Sequence, residues 1–144
     1  MIPFLKPGTS PSYQEMGKQA SLLALQDSGI NYEQIQQVFA GYVYGDSTCG
    51  QSVVYGLGMT GIPVINVNNN CSTGSTALYI ARQAIEGRSA DCVLALGFEQ
   101  MNPGALGAVF KDRPNPLEQF IQSAEDIEGK SEVPVALRLL EVRD

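Results

Sequence analysis

The sequence predicts an α/β protein, and three features between residues 62 and 97 carry this prediction. Two short runs rich in β-branched and other apolar residues, 62–67 and 91–97, are typical of strands. Pro63 confines pairing in the first of them to a sheet edge or the start of a strand. The second does not alternate, which predicts burial on both faces. A helix-period pattern lies between them and ends at Gly87. Its small and apolar residues are Ala77, Ile80, Ala81, Ala84 and Ile85. The order strand, helix, strand implies a right-handed crossover between parallel strands.

Two further elements precede this unit. Ser12-Tyr13-Gln14-Glu15 has the S-x-x-E form of a capping box, in which the first and last side chains satisfy free amides at a helix start. A helix is therefore predicted over about 12–28, with Gly29 as a left-handed terminator. The β-rich residues 38–43 predict a short strand that ends in a turn.

Length and composition suit one hydrophobic core followed by a weaker region. The 144 residues are 44% hydrophobic and 17% charged, which fits one domain of the usual ~100–150 residues. We expect residues 1–99 to form the domain core. Breakers such as Asn102-Pro103-Gly104 then predict a partial, divergent and loop-rich region over 100–144, with one or two short helices. Its acidic part, 118–132, is expected to be a solvated face.

Charge and hydropathy argue against two kinds of partner. Fifteen acidic residues against nine basic ones give a net charge of -6 without any Lys/Arg run, so no nucleic acid partner is expected. No apolar stretch approaches the ~20 residues of a membrane-crossing helix, so no membrane span is expected. Residues 1–7 have neither a basic n-region nor a long h-region, which predicts an intracellular protein.

Cysteine and histidine usage limits the chemistry. Three cysteines, at 49, 71 and 92, cannot all pair and lie far apart, which favours free thiols in a reducing compartment. They form no CxxC zinc motif, and no metal is expected. The chain has no histidine, which excludes Ser-His, Cys-His and His-metal mechanisms for this chain acting alone.

Cys71 is the candidate catalytic residue, because it lies in a polar stretch between a predicted strand and a predicted helix. At the first turn of a helix, unpaired amides and the positive end of the macrodipole favour thiolate over thiol, which suits a nucleophile. Gly74 would let a ligand or backbone approach closely. The alternative interpretation is a buried, inert thiol, since free cysteines usually act as small hydrophobes.

Several segments together resemble one enzyme family. Residues 58–63, GMTGIP, and 65–78, INVNNNCSTGSTAL, are similar to the nucleophile region of the sterol carrier protein 2/SCP-x type 3-ketoacyl-CoA thiolases. Residues 41–51, GYVYGDSTCGQ, and 91–99, DCVLALGFE, are similar to further segments of that family. The resemblance covers roughly residues 1–113.

This resemblance implies a fold and a reaction. The fold is the thiolase-like N-terminal half, an α/β structure whose mixed, mostly parallel sheet has helices on both faces. Cys71 matches the cysteine that takes the acyl group as a thioester during thiolysis of a 3-ketoacyl-CoA. The products of this acyltransferase step of lipid β-oxidation are acyl-CoA and acetyl-CoA or propanoyl-CoA. Coenzyme A and acyl-CoA are then substrates and no cofactor is bound. The location would be peroxisomal in a eukaryote and cytoplasmic otherwise.

The chain also departs from the family. The family's catalytic histidines and second cysteine come largely from a C-terminal half without counterpart here. Residues 1–8 resemble the stretch just after the family's first strand, so that strand is expected to be missing. Uncovered sheet edges and apolar surface seek partners. We therefore expect a homo-oligomer or a complex with a longer thiolase chain.

Other functions and other residues stay open at this stage. A noncatalytic, truncated binding or interaction subunit is the main alternative, and the lack of histidine favours it for this chain alone. A thiolase-like aldolase acting on steroid side chains is a third, which the retained cysteine fits less well. Cys49 is expected in a Gly/Ser/Thr-rich loop that the family brings near a subunit interface, and Cys92 is expected in the core. Glu99 and Asp46 follow predicted strands and receive no role.

Overall fold

The computed structural model describes residues 1–104 and 110–129, which belong to two compact units, Met1–Ala105 and Leu106–Asp144. The first unit holds three helices, one 3-10 turn and three strands. In chain order these are α1 (Tyr13–Ser28), the 3-10 turn (Tyr32–Gln34), β1 (Gln37–Gly41), α2 (Cys49–Tyr55), β2 (Val64–Val67), α3 (Thr73–Glu86) and β3 (Val93–Gly97). The described part of the second unit contains α4 (Glu118–Glu128).

The three strands form one parallel sheet in the order β2-β1-β3. Val38 of β1 pairs with Val64 on one side and with Leu94 on the other. The chain therefore passes from β2 to β3 through α3, with the central strand β1 between them. The two strands are parallel, as predicted, but they are not direct neighbours. Strand β2, which follows Pro63, is one of the two edge strands of the described sheet, in agreement with the expectation for a strand that begins at a proline.

Helices cover both faces of this sheet, as expected. Alternate residues of the strands point to opposite faces. On one face, α1 and α2 pack on a core of Tyr32, Ile35, Val38, Ala40, Val53, Val54, Leu94 and Leu96. On the other face, α3 packs through a smaller core of Phe39, Val67, Ala77 and Ala81. The two alanines are the small-residue stripe that the sequence predicts, and they let α3 lie close to the sheet.

The first helix begins and ends where its sequence predicts, although only the Ser12 half of the predicted capping box forms. The Ser12 hydroxyl accepts a hydrogen bond from the Glu15 amide at 3.3 Å. Gly29 ends the helix in the left-handed conformation, with φ 69°. Capping and a left-handed glycine thus fix both ends of α1 within one residue of the prediction.

Three expectations differ from the structure. The short helix α2 was not expected, and Cys49 begins it rather than lying in a loop. Strand β3 is covered on both faces but unevenly: Leu94 and Leu96 are buried, while Val93 and Ala95 are half-buried against the core under α3. Cys92 is half-buried and packs against the core from its margin.

The region after residue 100 is described in part. One helix, α4, agrees with the expected one or two short helices, and its apolar side chains Phe120 and Ile127 are exposed. Residues 105–109 and 130–144 lie outside the described part, so the end of the acidic stretch 118–132 does too. No helix of the described residues is long and apolar enough to span a membrane.

Candidate functional site

The carboxyl ends of the three parallel strands meet at one edge of the sheet. Gly41, Val67 and Gly97 end β1, β2 and β3, and Gly41 pairs with both of the others. The connecting segments 42–48 and 68–72 leave from this edge. In open α/β sheets, ligands bind in crevices beyond the carboxyl ends of the strands.

Cys71 lies in the connection between β2 and α3, at this edge. Helix α3 begins at Thr73, so the cysteine precedes the helix instead of lying within its first turn. Its side chain is exposed, whereas Cys49 is buried and Cys92 is half-buried. The alternative interpretation of Cys71 as a buried thiol is therefore wrong for this chain.

Hydrogen bonds from polar side chains back to the backbone hold the turn around Cys71. The Ser72 hydroxyl donates to the carbonyl of Asn69 at 2.8 Å. The Asn69 side-chain amide donates to the Thr76 hydroxyl at 2.9 Å, and that hydroxyl donates to the Ser72 carbonyl. The polar side chains of the turn are thus engaged in local hydrogen bonds. The thiol of Cys71 is exposed and is available as a nucleophile.

The start of α3 leaves amides available near Cys71. Ser72 precedes the helix but its side chain does not cap it. The Thr73 amide donates to Asn70 and the Thr76 amide to Ser72. Among the described residues this leaves the amides of Gly74 and Ser75 without an acceptor. Free amides at a helix start favour negative charge nearby.

A glycine brings this helix start onto the central strand. A Cβ atom on Gly41 would lie 2.9 Å from Thr73 Cγ2 and 3.1 Å from the Thr73 carbonyl oxygen. No real side chain fits at those distances without movement of the neighbour. The absence of a side chain at the end of β1 therefore lets the Cys71 turn sit above the strand ends.

Glu99 organises the neighbouring loop, a role that the sequence analysis did not assign. Its half-buried carboxylate accepts hydrogen bonds from the amides of Val43 at 2.8 Å and Tyr44 at 2.9 Å. It thereby ties the end of β3 to the segment after β1. The position of Glu99 shortly after a predicted strand was a local signal for a role at the sheet edge. The amides that its carboxylate binds could not be predicted, because they are distant in sequence. Asp46 is exposed, and its backbone carbonyl accepts a hydrogen bond from Tyr42.

Tyr42 and Cys49 belong to the packing of the same loop. The Tyr42 hydroxyl accepts from the Cys49 amide at 3.2 Å and donates to the Asp46 carbonyl at 2.9 Å. Its ring stacks on Phe98, with centroids 5.2 Å apart. Burial raises the pKa of Tyr42 above its ordinary value. The tyrosine therefore serves as a packed aromatic with a satisfied hydroxyl.

A polar cleft of about 480 Å³ opens beyond the ends of β1 and β3. The segment after β1 lines it together with Tyr13, Gln100 and Asn102, and Cys71 is not part of its lining. Among the described residues, no group of three or more His, Cys, Asp or Glu side chains could hold a metal ion.

The parallel sheet with helices on both faces defines an α/β domain of the thiolase type, which comparison with known families identifies. Residues 2–112 match the family "Thiolase, N-terminal domain". The chain belongs to this family, and the expected fold of a thiolase N-terminal half is confirmed.

Curated relatives narrow the similarity to sterol carrier protein 2. The chain is 55% identical to sterol carrier protein 2 of Oryctolagus cuniculus over 94% of this chain and 25% of the relative. It is 52% identical to the Homo sapiens protein of the same name, over the same shares of the two chains. It is 39% identical to the non-specific lipid-transfer protein-like 2 of Caenorhabditis elegans, over 96% of this chain and 35% of that one. The chain thus spans about a quarter of the sterol carrier protein 2 relatives.

A solved structure supports the fold independently. The 3-oxoacyl-[acyl-carrier-protein] synthase III from Aquifex aeolicus VF5 superposes on 66% of this chain and 32% of its own, with a TM-score of 0.59 and 23% identity. At that identity the likeness concerns the fold alone.

Proposed function

We propose that this chain supplies the acyl-accepting nucleophile, Cys71, of a thiolase reaction in fatty-acid and lipid β-oxidation. The substrates are a 3-ketoacyl-CoA and coenzyme A, and the products are acyl-CoA and acetyl-CoA or propanoyl-CoA. The observation that carries the proposal is the exposed thiol of Cys71 directly before helix α3, in a domain of the thiolase family.

The chemistry divides into two acyl transfers. In the first, the Cys71 thiolate attacks the 3-keto carbon, the bond between carbons 2 and 3 breaks, and the acyl group stays on Sγ as a thioester. The two-carbon or three-carbon CoA fragment leaves as a carbanion and takes up a proton. In the second transfer, the coenzyme A thiol loses its proton, attacks the thioester and releases acyl-CoA, which restores the Cys71 thiolate.

The helix start contributes charge stabilisation to these steps. An oxyanion develops on the attacked carbonyl oxygen, and backbone amides are suitable donors for it. The amides of Gly74 and Ser75, at the start of the helix that follows Cys71, have no acceptor among the described residues.

Proton transfer needs a group from outside these residues. The usual acid–base side chain at neutral pH is histidine, and this sequence has none. We therefore assign the proton transfers to a histidine-bearing thiolase chain or segment that associates with this domain. The similarity to sterol carrier protein 2 supports a lipid-related role and, in a eukaryote, a peroxisomal location.

The second candidate function is noncatalytic association. The same observation, the absence of histidine, favours it: the domain would bind a second copy of itself or a longer thiolase chain without performing acyl transfer. Under this alternative Cys71 is exposed but does not react with acyl-CoA.

Acyl labelling separates these two functions. The purified chain is incubated with an activated acyl-CoA, and the label is located by mass spectrometry of peptides, with Cys71→Ser and the matched control Cys92→Ser. We expect a thioester on Cys71 in the wild type and in Cys92→Ser, and none in Cys71→Ser. Absence of label at Cys71, both alone and with a histidine-bearing thiolase chain present, would favour the noncatalytic function.

Complementation then tests the assigned proton transfers. The partner is a longer thiolase chain whose own nucleophilic cysteine is replaced by alanine, so that it cannot turn over by itself. We expect coenzyme A-dependent cleavage of a 3-ketoacyl-CoA only when the partner and a chain with Cys71 are mixed. Equal rates with wild type and Cys71→Ser would contradict the proposal.

A further inference from the structure

We propose that Thr73 is the positioning residue that holds the Cys71 turn in the conformation that presents the thiol to an acyl donor. This inference rests on the proposed role of Cys71 and names a residue that acts through it. The observations that carry it are the burial of Thr73, its two hydroxyl hydrogen bonds and its contact with the central strand.

The Thr73 hydroxyl acts as both a hydrogen-bond acceptor and a donor toward the residues just before Cys71. Thr73 is 5% exposed, and Ser21 is the only other buried polar residue among those described. Its oxygen accepts a hydrogen bond from the Asn69 amide at 2.8 Å and donates to the Asn70 carbonyl at 2.6 Å. The Thr73 amide donates to that same carbonyl at 3.1 Å. The hydroxyl thus closes a loop of backbone that contains Cys71.

The backbone inside this loop needs such support. Asn70 has φ 49°, in the left-handed region that residues other than glycine seldom adopt. A residue stays in that region when surrounding contacts determine it, and asparagine tolerates it better than most. Two hydrogen bonds from Thr73 end on the Asn70 carbonyl, directly before the amide of Cys71. The direction of the chain into Cys71 is therefore set by Thr73.

Thr73 is itself fixed to the sheet. Its methyl carbon and its carbonyl would lie 2.9 Å and 3.1 Å from a Cβ atom on Gly41, so the residue sits against the bare end of β1. This contact fixes the position of the turn relative to the central strand. The position of the thiol is thereby tied to the strand ends where a substrate would bind.

Two substitutions distinguish the effect of the Thr73 hydrogen bonds from the effect of its methyl packing. Thr73→Val keeps the branched shape but leaves the Asn69 amide without its acceptor, while Thr73→Ser keeps the hydroxyl and loses the methyl group. Because small displacements of a reacting group slow a reaction strongly, we expect Thr73→Val to lower the rate of Cys71 acylation by about tenfold or more. Thr73→Ser should stay within about threefold of the wild type, since the hydrogen bonds are kept.

The experiment compares wild type, Thr73→Val, Thr73→Ser and the control Ser89→Ala. Ser89 is exposed and lies beyond the other end of α3, where its hydroxyl donates to the Ala84 carbonyl at 3.1 Å. Three quantities are measured: acylation of Cys71 by an acyl-CoA, the pH profile of its alkylation by iodoacetamide, and hydrogen exchange of the Asn69 amide. Support requires slow acylation, a displaced pH profile and fast Asn69 exchange in Thr73→Val, with Thr73→Ser and Ser89→Ala like the wild type.

The opposite results overturn the inference in distinguishable ways. If Thr73→Val exchanges Asn69 fast but acylates and alkylates Cys71 like the wild type, the residue is structural only. If Thr73→Val does not fold, the positioning role is tested with the wild type and Thr73→Ser, which both keep the hydroxyl. Fast exchange of the Asn69 amide in either protein shows that the hydroxyl does not hold the turn. Slow exchange in both supports the positioning role. If the wild type takes no acyl label, either alone or with a histidine-bearing thiolase chain, the proposed function fails, while alkylation and exchange still test the positioning role.

Discussion

Two turns of this domain invite comparison, because each follows a parallel strand, precedes a helix and carries a cysteine at that junction. Cys49 is the first residue of α2 and is 5% exposed, whereas Cys71 lies before α3 and is exposed. In the first turn, the hydroxyl of the buried Tyr42 accepts a hydrogen bond from the amide of the buried cysteine. In the second, small polar side chains bond back to the backbone and leave the thiol outside. Accessibility therefore depends on what packs over the turn and not on the helix start alone.

The largest expected effect concerns whether exposure of Cys71 is enough for turnover. We expect the purified chain alone to show no sustained coenzyme A-dependent cleavage of a 3-ketoacyl-CoA. General acid–base catalysis contributes ~10²–10⁴-fold to the rate, and one oxyanion donor contributes ~10²–10³-fold. A chain without the acid–base groups and the full oxyanion hole should therefore be slower by several orders of magnitude. The assay uses wild type and Cys71→Ala. Turnover that persists in the wild type and disappears in the variant would contradict this expectation.

The second prediction compares the two cysteines directly. In the folded chain, brief alkylation should label Cys71 roughly tenfold faster than Cys49 or more, because a buried thiol reacts only after local opening. Peptide mass spectrometry after short pulses of iodoacetamide measures both rates in one sample. The unfolded chain in urea is the control, in which the rates should converge. Faster labelling of Cys49 in the folded protein would reverse the comparison.

The third prediction sharpens the account of the Cys71 turn with a pair of glycines. Gly41→Ala should lower the free energy of unfolding by about 1–3 kcal/mol, because its Cβ would overlap Thr73. Gly74→Ala is the matched control: it lies in α3 with open space around its Cβ position, so it should raise that energy by about 0.5–1 kcal/mol. Urea unfolding measures both. Destabilisation of equal size in the two variants would argue against a specific contact at Gly41.

The smallest expected effect concerns the Cys49 turn. Glu99→Gln keeps one acceptor oxygen for the amides of Val43 and Tyr44 but replaces the other with a donor. We expect a loss of about 1–2 kcal/mol in unfolding free energy and faster alkylation of Cys49, with that of Cys71 unchanged. Gln100→Glu, one position along, is a control for charge at this end of the sheet. A change at Cys71 as large as at Cys49 would show that the turns are coupled.

Much of this fold could be predicted from local pattern. The ends of α1 follow from a serine and a glycine, and α3 follows from its period and its alanines. Cys71 could be found because a polar stretch between a strand and a helix is itself a local pattern.

What could not be predicted depends on distant contacts. The helix α2 has two adjacent valines and no side-chain cap, since Thr48 before it adopts φ 70° and makes no cap bond. Its valines are buried against the sheet, and this tertiary packing overrides a weak helix propensity. Glu99 binds amides 55 and 56 residues earlier in the chain, a separation that no local pattern reveals.

The strand order has a consequence for how the chain acquires its structure. Among the described strands, β1 comes first in the chain, and both strands that pair with it follow, β3 ending only at Gly97. Until β3 is made, Val38 and Phe39, which are 0% and 4% exposed in the finished domain, lack their partners Leu94 and Ala95. Parallel pairing over such sequence distances is slow, because loop closure precedes the gain from contacts. During translation, residues 37–67 are therefore the segment that a chaperone would recognise by its exposed apolar residues.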